Sequence, residues 1–171
     1  MVNQEVKPVF TGHEIVDWCR QAGVSHFIWL PDSELGEWEP ELRAADRPKL
    51  IRVCREGEAM GIAAGLMIAG KTPVVAIQAT GFFEAGDALR NVVYDLGLPL
   101  FLLIGYRSFF AYRSGKRRDS AARFIEPILN AWGLRYQLFL PGATVADLVE
   151  FHRATYGAGT AGAALIAESR L

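Results

Sequence analysis

The chain has 171 residues, the size of one domain with a substantial buried core. Hydrophobic residues make up 51% and charged residues 22%, which is a globular composition, and 18 Lys and Arg nearly balance 19 Asp and Glu. Because nucleic-acid binding needs a clear basic excess, this balance excludes a nucleic acid as the main partner. The near-zero net charge also removes repulsion as a barrier to self-association.

The first residues contain no apolar core of the signal-peptide type, and the longest apolar run, 98–105, is too short for a membrane span. We therefore expect a cytoplasmic protein that is not embedded in a membrane. The two cysteines, Cys19 and Cys54, match no metal or redox spacing. We expect both to be reduced and buried.

Strand and helix patterns alternate along the chain. Capping boxes that begin at Thr11 and Thr144 mark the starts of the first and last helices, and Gly23 ends the first. Further helices are predicted at about 34–45, at 56–69, from 85 to about 96, and in a stretch ending near 132. The segment 79–84 is predicted to be a loop. Predicted strands cover 25–30, 49–54, 73–78, 99–105, 135–138 and 162–167.

Several of these strands are continuous apolar runs, which is typical of parallel strands covered on both faces. Strands that alternate with helices indicate βαβ units. The sequence therefore predicts a single α/β domain over residues 1–171. Its architecture is three-layer α/β/α, with about six mostly parallel strands.

The predicted helix 56–69 is rich in small residues. Gly57, Gly61 and Gly65 recur every four positions, although each internal Gly costs about 1 kcal/mol of helix stability relative to Ala. Such spacing indicates that another backbone approaches closely. Two partners are about equally compatible with the spacing: the sheet of the same domain, or a counterpart helix in another subunit.

Glu56 lies at the junction between the second predicted strand and this helix. Open α/β sheets place ligands at the carboxyl ends of their strands, so a carboxylate there is a candidate functional group. The ordinary alternative for Glu56 and Glu58 is a favourable interaction with the helix macrodipole. We favour that alternative for Glu58 and not for Glu56.

The segment EGEAMGIAAG from Glu56 to Gly65 is followed by GKTP at 70–73 and QATG at 78–81. Together they resemble the pyrimidine-binding domain of thiamine diphosphate enzymes, and the pattern is most similar to that of sulfopyruvate and phosphonopyruvate decarboxylases. Weaker matches at 23–25, 31–33, 98–107 and 126–133 extend the resemblance through nearly the whole chain.

The resemblance implies a function for Glu56. In such enzymes the matching glutamate hydrogen-bonds N1′ of the cofactor's aminopyrimidine and controls its tautomer, which activates the cofactor for decarboxylation of a 2-keto acid. Glu56 is then catalytic, and Glu56, Pro31 and Gly81 contact thiamine diphosphate. The implied activity is that of a carboxy-lyase acting on a small anionic 2-keto acid.

The diphosphate half of such a site is not evident in the sequence. These enzymes hold the diphosphate through a metal ion in a second domain, marked by Gly-Asp-Gly and a later Asn, whereas this chain has only Gly-Asp-Ala at 86–88, inside a predicted helix. No metal ligand is therefore assigned here. The resemblance implies an α-type subunit whose β-type partner holds the diphosphate and Mg²⁺, and self-association is also expected.

Candidate substrate contacts follow three of the predicted strands, where a ligand crevice is expected. Ordinary turn chemistry is the alternative for those after the first and third strands. The candidates are Asp32, Ser33, Gln78, Thr80 and Arg107.

The segment after the third strand departs from the family pattern Gln-Asn-Ser-Gly-x-Gly-Asn. It reads QATGFFE over 78–84, so two polar groups are lost, and bulk and an acid, Glu84, are gained. This departure leaves several alternatives open. They are an altered or larger 2-keto acid, a phosphonopyruvate decarboxylase or related carboligase subunit, and a non-catalytic binding or regulatory domain of the same fold.

Arg107 also begins a segment with six basic residues that ends at Arg123. Such charges suit a sulfonate or phosphonate, because Arg presents paired donors to oxyanions. A solvated loop is the favoured alternative for the other basic residues of this segment. The interleaved Phe109, Phe110 and Tyr112 are expected to pack on a partner or over the site.

Overall fold

The structure is a computed structural model that describes residues 8–32 and 35–167. The strands of this part of the chain are β1 (His26–Trp29), β2 (Lys49–Arg52), β3 (Pro73–Gln78), β4 (Phe101–Tyr106), β5 (Arg135–Phe139) and β6 (Gly162–Ala167). Its helices are α1 (Gly12–Ala22), α2 (Glu39–Ala44), α3 (Glu56–Ile68), α4 (Ala79–Glu84), α5 (Gly86–Arg90), α6 (Phe109–Arg113), α7 (Ser120–Ala131) and α8 (Val145–Gly157). A 3₁₀ turn, Leu35–Trp38, precedes α2, and a π-helical turn, Asn91–Asp95, continues α5.

The strands form one parallel sheet in the order β2-β1-β3-β4-β6-β5. Helices cover both faces: α1 packs with α2 and α8, and α3 packs with α4 and α5. The predicted three-layer α/β/α architecture is confirmed. The chain passes from β1 to β2 toward one edge of the sheet, and from β3 to β4 toward the opposite edge. The carboxyl ends of β1 and β3 therefore flank the switch point, which is where such sheets bind ligands.

The core lies along the central strands. Every residue of β4 and β6 is buried, as the continuous apolar runs predicted, whereas the ends of the edge strand β2 are exposed. Burying a large aliphatic or aromatic side chain contributes about 1.5–3 kcal/mol. This core makes the sheet a rigid support for the loops at its carboxyl edge.

Both predicted capping boxes are present. The Thr11 and Thr144 hydroxyls accept the third amide of their helices, and the Glu14 and Asp147 carboxylates accept the cap amides in return. Gly23 ends α1 in the left-handed conformation, at φ +70°. The helix starts read from the sequence are therefore confirmed at both ends of the chain.

Two local predictions are wrong. The segment 79–84 is the helix α4, because Ala79, Gly81 and Phe82 are buried and Phe82 packs 5.5 Å from the ring of Trp132. Cys19 is buried, but Cys54 lies in the exposed turn after β2. Within the part of the chain that the structure describes, no helix has the length and apolar character needed to cross a membrane.

Candidate active site

Glu56 is the first residue of α3, directly after the turn that follows β2. Arg55 before it is extended, at φ −146° and ψ 147°, and its side chain does not cap the helix. Glu58, in the same first turn, accepts a hydrogen bond from the Cys54 amide at 3.0 Å. Glu58 thus holds the entry of the helix, in line with the ordinary structural alternative favoured for it.

The Glu56 side chain lies directly against the backbone of Gly81 in α4. A Cβ atom at position 81 would stand 2.5 Å from Glu56 Oε1 and 2.6 Å from Glu56 Cγ, closer than real Cβ contacts. Only glycine leaves space for this carboxylate in its present position. Gly81 therefore contacts the predicted catalytic group itself, and its contact with a cofactor stays a prediction.

The Glu56 carboxylate is half-buried and open to a ligand. Among the residues that the structure describes, no hydrogen bond or ion pair engages it. Glu58 and Glu84, on either side of it, both bond to backbone amides. The arrangement leaves one carboxylate of the three available at the carboxyl edge of the sheet.

Glu84 binds the start of α3 from the neighbouring helix. Its Oε1 accepts hydrogen bonds from Arg55 Nε at 3.1 Å and Nη2 at 2.6 Å, and its Oε2 accepts the Gly57 amide at 2.9 Å. The bond from Arg55, and then that from Gly57, lower the pKa of the Glu84 carboxyl. From the sequence pattern, Glu84 was identified only as an added acid, and Arg55 was given no role. The position of Arg55 directly before Glu56 was the one feature that could have indicated their involvement.

The described candidate site residues after β1 lie in the loop that leads to the 3₁₀ turn. Pro31 is exposed, and Asp32 Oδ1 accepts the Leu35 amide at 2.8 Å, so Asp32 caps the 3₁₀ turn. That bond agrees with the turn-chemistry alternative for Asp32. Ser33 lies outside the described residues.

The candidates after β3 and β4 share the carboxyl edge of the sheet. Gln78 is half-buried and pairs in register with Gly105 of β4, while Thr80 is exposed on α4 and Arg107 is exposed just beyond β4. The register places these residues on the same edge as Glu56. A contact between any of them and a substrate stays a prediction.

Phe109, one of the aromatic residues of the basic segment, packs within the chain, and a contact of this segment with a partner or with the site stays a prediction. Phe109 is buried against Tyr106, at 5.0 Å between ring centroids. Arg113 lies over the Phe109 ring and donates to Glu126 Oε1 at 2.8 Å. The Tyr106 hydroxyl also donates to Glu126, and burial, together with that carboxylate, raises the pKa of Tyr106. Arg113 is thus paired with Glu126 within the domain, although both it and Arg107 are exposed.

The residues present fit one half of a thiamine diphosphate site. An open carboxylate beside a backbone without a side chain suits a flat ring with a basic nitrogen. Within residues 8–32 and 35–167, no group of three or more His, Cys, Asp or Glu side chains could hold a metal ion. The fold and the site therefore define an α/β domain with a carboxylate at its carboxyl edge that has no partner among the described residues.

Residues 10–115 match the family described as thiamine pyrophosphate enzyme, N-terminal TPP binding domain. The chain belongs to this family. The matched range includes Glu56, Gly81 and Glu84.

Among curated proteins, a sulfopyruvate decarboxylase of Methanosarcina acetivorans is 27% identical over 126 residues, which are 73% of this chain and 32% of that protein. A solved thiamine diphosphate-dependent 4-hydroxybenzoylformate decarboxylase of Rhodococcus jostii aligns with a TM-score of 0.63 at 17% identity, covering 96% of this chain and 32% of that one. The benzoylformate decarboxylase of Polynucleobacter necessarius aligns with a TM-score of 0.66 at 16% identity, covering 94% and 30%. The two structures show the shared fold, and the chain spans about a third of the length of each of these proteins.

Proposed function

We propose that the chain is the α-type subunit of a thiamine diphosphate-dependent 2-keto acid decarboxylase, most like sulfopyruvate decarboxylase. The reaction would convert sulfopyruvate to sulfoacetaldehyde and CO₂. One observation carries the proposal: the Glu56 carboxylate has no partner among the described residues and lies over Gly81 at the carboxyl edge of the sheet. The match of residues 10–115 to the thiamine pyrophosphate enzyme family includes Glu56 and supports this proposal.

Glu56 would hold a proton toward the ring nitrogen N1′ of the cofactor's aminopyrimidine. When bound, the cofactor supplies the electron sink for breaking the carbon–carbon bond, and the protein supplies orientation and proton control. Gly81 would contribute by leaving the Glu56 carboxylate in place at the edge of α4. Pro31, on the loop after β1, is the other residue of this chain assigned to the cofactor.

The diphosphate and Mg²⁺ would be held mainly by a β-type partner subunit. The exposed face of α3 is a suitable surface for that partner, and we call Gly61, Gly65 and Ile68 the α3 face. Among the described residues, nothing lies within 4 Å of a Cβ atom placed at either glycine, and 72% of Ile68 is exposed. The active site would then be completed between subunits.

Both cysteines are free thiols, as is usual for a cytoplasmic protein.

The substrate would enter along the edge shared by β1, β3 and β4. Arg107 is the residue proposed to bind the sulfonate, since its exposed guanidinium can give paired donors to an oxyanion. Asp32, Ser33, Gln78 and Thr80 would shape the rest of the pocket. A phosphonate would satisfy the same donors, so sulfopyruvate and phosphonopyruvate have to be compared directly.

The test is co-expression with the partner chain, purification of the complex, and measurement of CO₂ release with thiamine diphosphate and Mg²⁺. Both 2-keto acids are assayed side by side. Loss of general acid–base catalysis typically costs about 10²–10⁴-fold, so Glu56→Gln should lose at least that much kcat while the complex still assembles. Glu58→Gln is the matched control from the same helical turn. A fully active Glu56→Gln complex would overturn the mechanism.

A further inference from the structure

The first turn of α3 and the helix α4 hold each other by reciprocal contacts. The side chain of Glu56, from α3, lies on the backbone of Gly81 in α4. The side chain of Glu84, from α4, accepts the backbone amide of Gly57 in α3. Each helix thus places one carboxylate on a glycine backbone of the other.

Glu84 supplies what the start of α3 otherwise lacks. The first amides of a helix have no partner within the helix, and Arg55 at the cap position does not provide one through its side chain. The Glu84 carboxylate bonds the Gly57 amide and pairs with the Arg55 guanidinium at the same time. One side chain therefore fixes residues on both sides of Glu56.

The middle of α4 is fixed independently. Phe82 is buried and packs on Trp132 of the α7 region, so α4 cannot follow a movement of α3 freely. The position of the Glu56 carboxylate relative to Gly81 consequently depends on how the first turn of α3 is tied to α4. Glu84 is the side chain that makes this tie.

We propose that Glu84 is a positioning residue: it holds the first turn of α3 on α4 and thereby fixes the Glu56 carboxylate over Gly81. The catalytic consequence of this inference rests on the proposed function, but the positional statement does not. The two can therefore be tested separately, the first on the assembled enzyme and the second on this chain alone.

The positional test uses NMR of the chain labelled with ¹⁵N and with ¹³C at the glutamate carboxyl carbons. The Glu56 signal is assigned by its loss in Glu56→Gln. In Glu84→Ala, the amide signal of Gly57 should move because its hydrogen bond is gone, and the Glu56 carboxyl and Gly81 amide signals should move with it. Glu58→Gln, which removes a different carboxylate from the same turn, should leave the Gly81 amide in place.

Glu84→Gln provides a second variant that keeps an acceptor for the Gly57 amide while it loses the ion pair with Arg55. It should show smaller shifts than Glu84→Ala, and Arg55→Gln should resemble it. If the Gly57 amide moves in Glu84→Ala but the Glu56 carboxyl and Gly81 amide do not, Glu84 is only a local cap and the inference is overturned.

The catalytic test measures kcat and KM of the assembled enzyme. A misplacement of 1 Å can cost about 10²-fold, so Glu84→Ala should lower kcat by about 10- to 100-fold. KM for the 2-keto acid should stay within about twofold of its value in the unmutated enzyme, because Glu84 is not one of the proposed substrate contacts. An unchanged kcat would overturn the catalytic consequence. An unmutated complex without decarboxylase activity would instead refute the proposed function, and the NMR result would still decide the positional statement.

Discussion

Replacing the two exposed glycines of the α3 face by alanine should stabilise the isolated chain. A Cβ atom at Gly61 or Gly65 meets nothing within 4 Å in the part of the chain that the structure describes, so neither substitution creates a clash there. Alanine is favoured over glycine in a helix interior by about 1 kcal/mol, mainly because glycine loses more backbone freedom on folding. The double variant Gly61→Ala/Gly65→Ala should therefore gain about 2 kcal/mol of unfolding free energy.

For a chain of this size, 1 kcal/mol shifts Tm by about 2–4 °C, so the double variant should melt about 4–8 °C higher. Thermal unfolding followed by circular dichroism measures this shift. Gly70→Ala is the matched control: its Cβ atom would also meet no described residue within 4 Å, but the residue has φ +72°. Alanine is strained there by about 1–2 kcal/mol, so this variant should melt at a lower temperature.

The same double variant should weaken assembly with the proposed β-type partner. Two added methyl groups would separate backbones that glycine allows to approach closely, and sedimentation of the co-expressed chains measures the loss of complex. A lower Tm for the isolated double variant would refute the first step, because it would mean that the α3 face packs within the chain. A higher Tm with undiminished assembly would refute the second step and remove this face from the partner interface.

Two further predictions concern Gly81 and His152. Gly81→Ala should displace the Glu56 carboxylate and lower kcat of the assembled enzyme by about 10²-fold. The unfolding free energy should change by no more than about 1 kcal/mol, because the half-exposed Glu56 side chain can move. A fully active Gly81→Ala enzyme would contradict a functional contact between Glu56 and Gly81. Burial, with a smaller effect of Arg153, lowers the pKa of His152 from 6.5 to about 4, so the folded chain binds this proton later than the unfolded chain as pH falls. Stability from this residue should be complete above pH 6.5 and decline by up to about 3 kcal/mol toward pH 4. Denaturant unfolding at several pH values measures the decline of the unfolding free energy as pH falls. This decline should be smaller in His152→Phe than in the unmutated chain and unchanged in the exposed control His13→Gln. Equal declines in both variants would refute the assignment of this pH dependence to His152.

The sheet could be predicted because its signals are local. The apolar runs that became β4 and β6 are uninterrupted, and the capping boxes at Thr11 and Thr144 fix helix starts within four residues of sequence. The helix α4 could not be predicted in this way. Thr80 and Gly81 are common turn residues, whereas Phe82 is held in place by Trp132, fifty positions later in the chain.

In the candidate site, too, local features could be predicted from the sequence, whereas contacts between distant segments could not. The position of Glu56 at a strand end followed from the order of elements, and its proposed role followed from the family pattern. The contact of Glu56 with Gly81 and the bonds of Glu84 to Arg55 and Gly57 join segments more than twenty residues apart. Likewise, the four-residue spacing of the glycines left two partners open. Among the described residues, the space beside Gly61 and Gly65 is empty, so these two glycines do not pack on the domain's own sheet, whereas Gly57 lies against Glu84 and Ala88.

The unusual segment after β3 bears on whether the domain is catalytic at all. Its added bulk and acid could indicate a domain that has lost its site, but Phe82 packs α4 on the core and Glu84 bonds the start of α3. Gly81, which directly precedes Phe82 in the same helix, costs about 1 kcal/mol of helix stability relative to alanine. The three atoms nearest to a Cβ at that position all belong to Glu56. This glycine weakens its helix and leaves space for a carboxylate that has no partner among residues 8–32 and 35–167. Stability alone is a poor explanation for such a glycine, which favours a catalytic domain over a purely structural relative.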